Sequence, residues 1–160
     1  MRRILISGLT AVLLSAMTAY AASDVSFVEP ADPNPGDQTA WASLTGPRVG
    51  WGSIDVRYSR SQVATMEKKV SLTAWRGERV SAQAVVSTPV NLSCVKVSAS
   101  ELKCGRDIIP SENVKTWFVR YTIAGRPGEK ETFLVPDRLD AACQMAVAAN
   151  GTRPVWVEVK

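Results

Sequence analysis

The sequence predicts an all-β domain, an antiparallel β-sandwich of immunoglobulin-like type. Three observations lead there: short runs alternate apolar and polar residues with a period of two, turn signals separate those runs at short intervals, and few stretches carry helical spacing. Val80, Ala82, Ala84 and Val86 share one face of a strand while Ser81, Gln83 and Ser87 share the other. Trp117, Val119, Tyr121 and Ile123 alternate with Phe118, Arg120 and Thr122, and Val155, Val157 and Val159 alternate with Trp156, Glu158 and Lys160.

The chain begins with Arg2 and Arg3, runs through apolar residues from Ile4 to about Met17 and reaches Ala19-Tyr20-Ala21, the build of a secretory signal peptide cleaved after Ala21. Ser7, Gly8, Thr10 and Ser15 interrupt the apolar stretch, which falls short of the about 20 residues a membrane span needs. No membrane span is expected after cleavage, and the expected location is the bacterial periplasm, the cell surface or the medium. Removing Arg2 and Arg3 from the 19 basic residues leaves 17 against 15 acidic ones, too even and too dispersed a balance for a nucleic-acid surface.

Residues 22–48 hold Pro30, Pro33, Pro35, Gly36, Gly46 and Pro47 and are expected to form an extended lead-in segment to a domain over 49–160. Strands are predicted at 49–58, 70–75, 80–87, 92–98, 114–123, 131–135 and 154–159. Gly77, Pro89, Gly105, Pro110, the run 124–128, Pro136 and Asn150-Gly151 supply the turns. Residues 137–149 are ambiguous, because Leu139, Cys143, Ala146 and Val147 stand at helical spacing; a short helix and an irregular connection fit equally.

The sequence has no histidine, which removes Ser-His-Asp triads and Cys-His pairs, and no C-x-x-C spacing that would suggest zinc, so no metal or cofactor site is expected. Three cysteines, Cys94, Cys104 and Cys143, remain in the exported chain, an odd number for an oxidising compartment. Cys94 and Cys104 are a possible disulfide across neighbouring strands, and three buried thiols acting as small hydrophobes are the alternative.

Of the five tryptophans, Trp75, Trp117 and Trp156 lie in strand patterns and are expected in the core, where each N–H needs a partner. Trp41 and Trp51, beside Gly46, Gly50 and Gly52, are the candidates for an exposed platform on which a glycan ring could stack. Arg76, Gly77, Glu78 and Arg79 are expected to form a turn cluster, with Gly77 allowing the bend and Glu78 pairing with an arginine. A carboxylate clamp by the two guanidinium groups is the chemical alternative. Asp137 and Asp140 read as a turn with backbone-bonded carboxylates, and Glu129 and Glu131 as a solvated hairpin tip.

Four motifs in order, Trp51-Gly52-Ser53-Ile54-Asp55-Val56-Arg57-Tyr58, Ala74-Trp75-Arg76-Gly77-Glu78-Arg79-Val80-Ser81-Ala82-Gln83-Ala84, Pro136-Asp137-Arg138-Leu139-Asp140 and Arg153-Pro154-Val155-Trp156-Val157, resemble the N-terminal β-sandwich domain of glycoside hydrolase family 123-like proteins. The resemblance covers about residues 41–160, and the second motif is its most specific part. It implies an exported bacterial protein of the β-N-acetylgalactosaminidase type, acting on glycolipid-type glycans. In that chemistry the substrate acetamido group attacks, helped by an Asp-Glu pair in a barrel downstream of the sandwich.

This sequence contains no Asp-Glu dipeptide, so no catalytic residue carries over. The function implied is a non-catalytic module, truncated or solitary, whose partners are a glycoside hydrolase catalytic domain or a glycan. A secreted carbohydrate-binding or adhesive sandwich using Trp41 and Trp51 is the alternative. The family pattern continues past the last strand with a turn and a further strand, so the sandwich is expected to be incomplete at its C-terminal end and to leave an edge unpaired there.

Overall fold

The computed structural model describes residues 2–6, 27–125, 128 and 130–160, leaving aside the side chains of residues 2–6 and 104. The predicted cleavage point after Ala21 and the carboxylate of Glu129 lie outside the described residues. In chain order the strands are β1 (Arg2–Ile6), β2 (Arg48–Gly52), β3 (Val70–Ala74), β4 (Val80–Thr88), β5 (Leu92–Lys96), β6 (Leu102–Cys104), β7 (Asp107–Ile109), β8 (Val114–Gly125), β9 (Thr132–Asp140), β10 (Gln144–Val147) and β11 (Gly151–Val159). Two short 3-10 turns, Thr39–Ser43 and Ser111–Asn113, complete the described elements.

Five strands form the main antiparallel sheet in the order β2-β4-β11-β8-β9. Three two-stranded antiparallel ribbons accompany it: β5 with β10, β6 with β7, and β1 with β3. The period-two pattern explains the arrangement, because register places Ala82 and Ala84 of β4 beside Val157 and Val155 of β11, and Val155 beside Phe118 of β8. These residues and Trp51 share one core with Val95, Met145 and Val147 from the β5–β10 ribbon, while Val70, Leu72, Leu102 and Ile109 from the other ribbons close over it.

The opposite face is covered by the connection between β2 and β3. Tyr58, Ala64 and Met66 pack against Val85, Ser87 Oγ accepts from Ala64 N–H at 3.2 Å, and Gln83 Nε2 donates to the carbonyls of Ser53 and Val56 at 2.8 and 3.2 Å. Covered on both faces, β4 is buried from Ala82 to Thr88 despite its alternating sequence. Close approach here requires a residue without a Cβ. A methyl group on Gly52 would stand 2.4 Å from the Tyr58 hydroxyl, which accepts a hydrogen bond from Ser53 N–H at 2.9 Å.

Two expectations are corrected. Residues 137–149 form no helix, and only 141–143 and 148–149 are irregular: β9 runs through Pro136 to Asp140, and Gln144–Val147 is a strand paired with β5. Met145 and Val147 point into the core while Gln144 and Ala146 are exposed, so the period is two. Pro136 is tolerated because β9 lies at a sheet edge, and Asp137 is the extra residue at the bulge that separates the Arg120–Arg138 pair from the Tyr121–Pro136 pair. Nor is the last strand an unpaired edge, since β11 lies at the centre of the sheet between β4 and β8, and β2 and β9 are the outer strands.

Candidate functional site

At the end of the sheet where β11 begins, β8 and β11 part. Their pairing runs from Val159–Val114 to Val155–Phe118 and stops there. The next residue of β11 in this direction is Pro154, which lacks an N–H and would stand opposite Val119 in the same register. The Val119 carbonyl is satisfied by a side chain instead, accepting from Arg153 Nη1 at 2.9 Å.

Arg153 is 6% exposed, and its charge is met by Glu29 from the lead-in segment, 124 positions earlier in the chain. Glu29 Oε2 accepts from Arg153 Nη2 at 2.8 Å and Oε1 accepts from Nη1, a bidentate fork. The same Oε1 accepts from Tyr121 N–H at 3.1 Å, a β8 donor beyond the end of the β8–β11 ladder. Arg60 Nη1 lies 3.7 Å from Glu29 Oε2 and donates to the Pro30 carbonyl at 3.0 Å. The Arg153 and Arg60 guanidinium carbons stand 4.9 and 5.9 Å from the centre of the Tyr121 ring.

Tyr121 has no exposed surface, and its hydroxyl reaches the carbonyls of Thr152 at 2.9 Å and Tyr58 at 3.1 Å. Burial, opposed by Arg153 and reinforced by Glu29, pushes its pKa well above the ordinary phenol value. The cluster borders an open cleft of about 950 Å³ that also presents Asp32, Asn91, Arg120 and Met145. Arg120 Nε donates to Asp140 Oδ2 at 2.7 Å, and Asp140 Oδ1 accepts from Ala142 N–H at 2.9 Å.

Burial acts to raise the pKa of Glu29, but the hydrogen bonds and charge of Arg153, the Tyr121 N–H and the charge of Arg120 outweigh it and hold the carboxyl below its ordinary value. Asp140 follows the same pattern, with burial outweighed by the Ala142 N–H and by Arg120. Both carboxylates are therefore held ionised, the opposite of what a general acid working near neutral pH requires. A depressed folded pKa stabilises above the unfolded value, 4.5 for Glu29, and that contribution is lost as pH falls through the folded pKa. Melting temperatures measured from pH 7 downward are expected to hold until about 4.5 and then drop, with the drop reduced in Glu29→Gln.

The structure removes both candidate glycan platforms. Trp41 is 3% exposed, with its Nε1 donating to the Ser61 carbonyl at 3.0 Å, and Trp51 is 5% exposed within the core, its remaining surface bordering a second cleft with Tyr58 and Met66. A ring buried this far has no free face on which a sugar could stack. Trp75, expected in the core, is instead 66% exposed at the end of β3, while Trp117 and Trp156 are half-buried neighbours on adjacent strands.

The cluster Arg76, Gly77, Glu78 and Arg79 forms the turn between β3 and β4. Trp75 accepts at its carbonyl from Glu78 N–H at 3.1 Å, Glu78 Oε2 accepts from Trp75 N–H at 2.7 Å, and Gly77 has φ +83°, a left-handed conformation open to glycine. Arg79 pairs across to Glu158 at 3.6 Å, on a partly exposed surface where the pair contributes little. Cys94 on β5 is a free thiol 3.4 Å from Gln144 Oε1, and Cys143 is an exposed free thiol. The Cys104 side chain, the other half of the expected disulfide, lies outside the described residues. Among the described residues no group of three or more His, Cys, Asp or Glu side chains could hold a metal ion.

Comparison with known proteins assigns the fold. The solved structure of a family 123 glycoside hydrolase from Clostridium perfringens, determined to detail glycolipid glycan hydrolysis, matches with a TM-score of 0.61 and 22% identity. The match covers 72% of this chain and 21% of that one, so the chain spans about a fifth of that protein's length. No curated protein matches. The family model described as the glycoside hydrolase 123 N-terminal domain matches residues 51–160, from Trp51 on β2 through β11, which contain the main sheet's other four strands and its core. The chain belongs to the glycoside hydrolase 123 N-terminal domain family.

Proposed function

We propose that this chain is an exported, non-catalytic β-sandwich module of a glycoside hydrolase 123-like protein, a scaffold that accompanies or partners a catalytic domain of the β-N-acetylgalactosaminidase type. The observation that carries this reading is the match of residues 51–160 to that family's N-terminal domain. The carboxylates at the open end of the sheet support it, because Glu29 and Asp140 are committed to Arg153 and Arg120 and held ionised. Export is supported by the Arg2-Arg3 start, the apolar stretch and Ala19-Tyr20-Ala21.

Purified protein assayed on a chromogenic β-N-acetylgalactosaminide is expected to give no turnover above buffer. Reproducible release of the chromophore that scales with protein concentration would overturn the non-catalytic reading. Mass spectrometry of the chain recovered from the periplasm of an expressing bacterium is expected to show a start at Ala22, and an intact Met1 start there would overturn export through a cleaved leader.

A further inference from the structure

Strand β3 (Val70–Ala74) belongs to no larger sheet. It pairs with β1 over five consecutive residues without a bulge, from Arg2–Ala74 to Ile6–Val70, and with no other named strand. That pairing shows its edge to be geometrically able to take an antiparallel strand. The edge also lacks the devices that keep exposed strands apart: Val70-Ser71-Leu72-Thr73-Ala74 contains no charge, proline or glycine. Release of residues 1–21, as the export reading has it, vacates this edge.

We propose that the vacated edge is a self-pairing surface, through which two copies of the chain join by antiparallel pairing of Val70–Ala74 with itself. The sequence of β3 reads nearly the same in both directions about Leu72. A two-fold axis there sets Leu72 against Leu72, Val70 against Ala74 and Ser71 against Thr73, so that apolar meets apolar on the core face and hydroxyl meets hydroxyl on the other. Val70 and Leu72 already pack on the core, whereas Ser71 and Thr73 are exposed, so both copies keep their own cores intact.

The same register brings Trp75, the most exposed aromatic side chain among the described residues, opposite Lys69 of the second copy, whose aliphatic stem can cover the ring. A five-residue ribbon lies below the about 1,200 Å² of a standard interface, so the pairing is weak and concentration-dependent.

The full-length chain carrying Ile4→Pro, which breaks the β1 ladder and leaves every residue of the sandwich in place, tests this without relying on export. Sedimentation equilibrium over a rising concentration series is expected to show the unaltered chain as a monomer and the Ile4→Pro chain approaching twice the monomer mass. Adding Ser71→Lys with Thr73→Lys sets like charges opposite each other twice and is expected to return the monomer, while Ser71→Glu with Thr73→Lys sets opposite charges there and is expected to restore the dimer. Circular dichroism checks that each variant is folded, and Ser71 and Thr73 are exposed. A monomeric Ile4→Pro chain at the highest soluble concentration overturns the proposal. So does dimerisation of the unaltered chain, or a dimer indifferent to the two charge patterns.

Discussion

Replacing Arg153 by methionine is expected to lower the unfolding free energy by about 3–5 kcal/mol, because it leaves a buried charge without its partner. The Glu29 side chain is only 11% exposed and would keep Tyr121 N–H and the more distant Arg60, losing the bidentate fork that offsets its desolvation. The Val119 carbonyl would also lose its donor, and Pro154 has no N–H to replace it. Urea unfolding followed by circular dichroism measures the loss directly; a shift under about 1 kcal/mol would mean that the pair is hydrated and the cluster has little structural weight.

Phe118→Ala is expected to cost a similar amount by a different cause. The ring is 1% exposed and sits on β8 between Val155 of β11 and Asp140 of β9, in the core shared with Trp51, Val95 and Met145. Its removal forfeits the transfer energy of the ring and leaves a cavity between a five-stranded sheet and ribbons that cannot readily close on it, about 3–5 kcal/mol in all. Against a total stability of about 5–15 kcal/mol, either change alone brings the domain near its limit.

The all-β fold is legible because long strands carry an unbroken period of two, with Val80 to Val86 and Val155 to Val159 each setting one face apart from the other in the sequence itself. The short elements were not. β6 and β7 have three residues each, too few to show a period, and in β9 and β10 the spacing of Leu139, Cys143, Ala146 and Val147 imitated a helix.

Trp41, Trp51 and Trp75 exchanged places for a related reason. Glycines beside a tryptophan suggested exposure, but Gly52 is there so that Tyr58 can close over the strand, and Trp41 is held under the loop by the Ser61 carbonyl. Trp75 follows the last inward-facing residue of β3 and is carried out by the turn at Gly77. The Glu29–Arg153 pair could not be found by pattern at all, since its members are 124 positions apart; the local hint was Pro154 inside a strand, which announces a missing donor that something must replace.

A double-mutant cycle between Glu29 and Arg153 tests most directly the claim that the polar cluster is a structural latch holding the lead-in segment to the parted sheet. With Glu29→Gln, Arg153→Met and both together, unfolding free energies are expected to show a coupling of about 1.5–3 kcal/mol, the double variant being more stable than the sum of the single losses predicts. Additivity within about 0.5 kcal/mol would contradict the latch, because it would show that the two side chains contribute to stability independently.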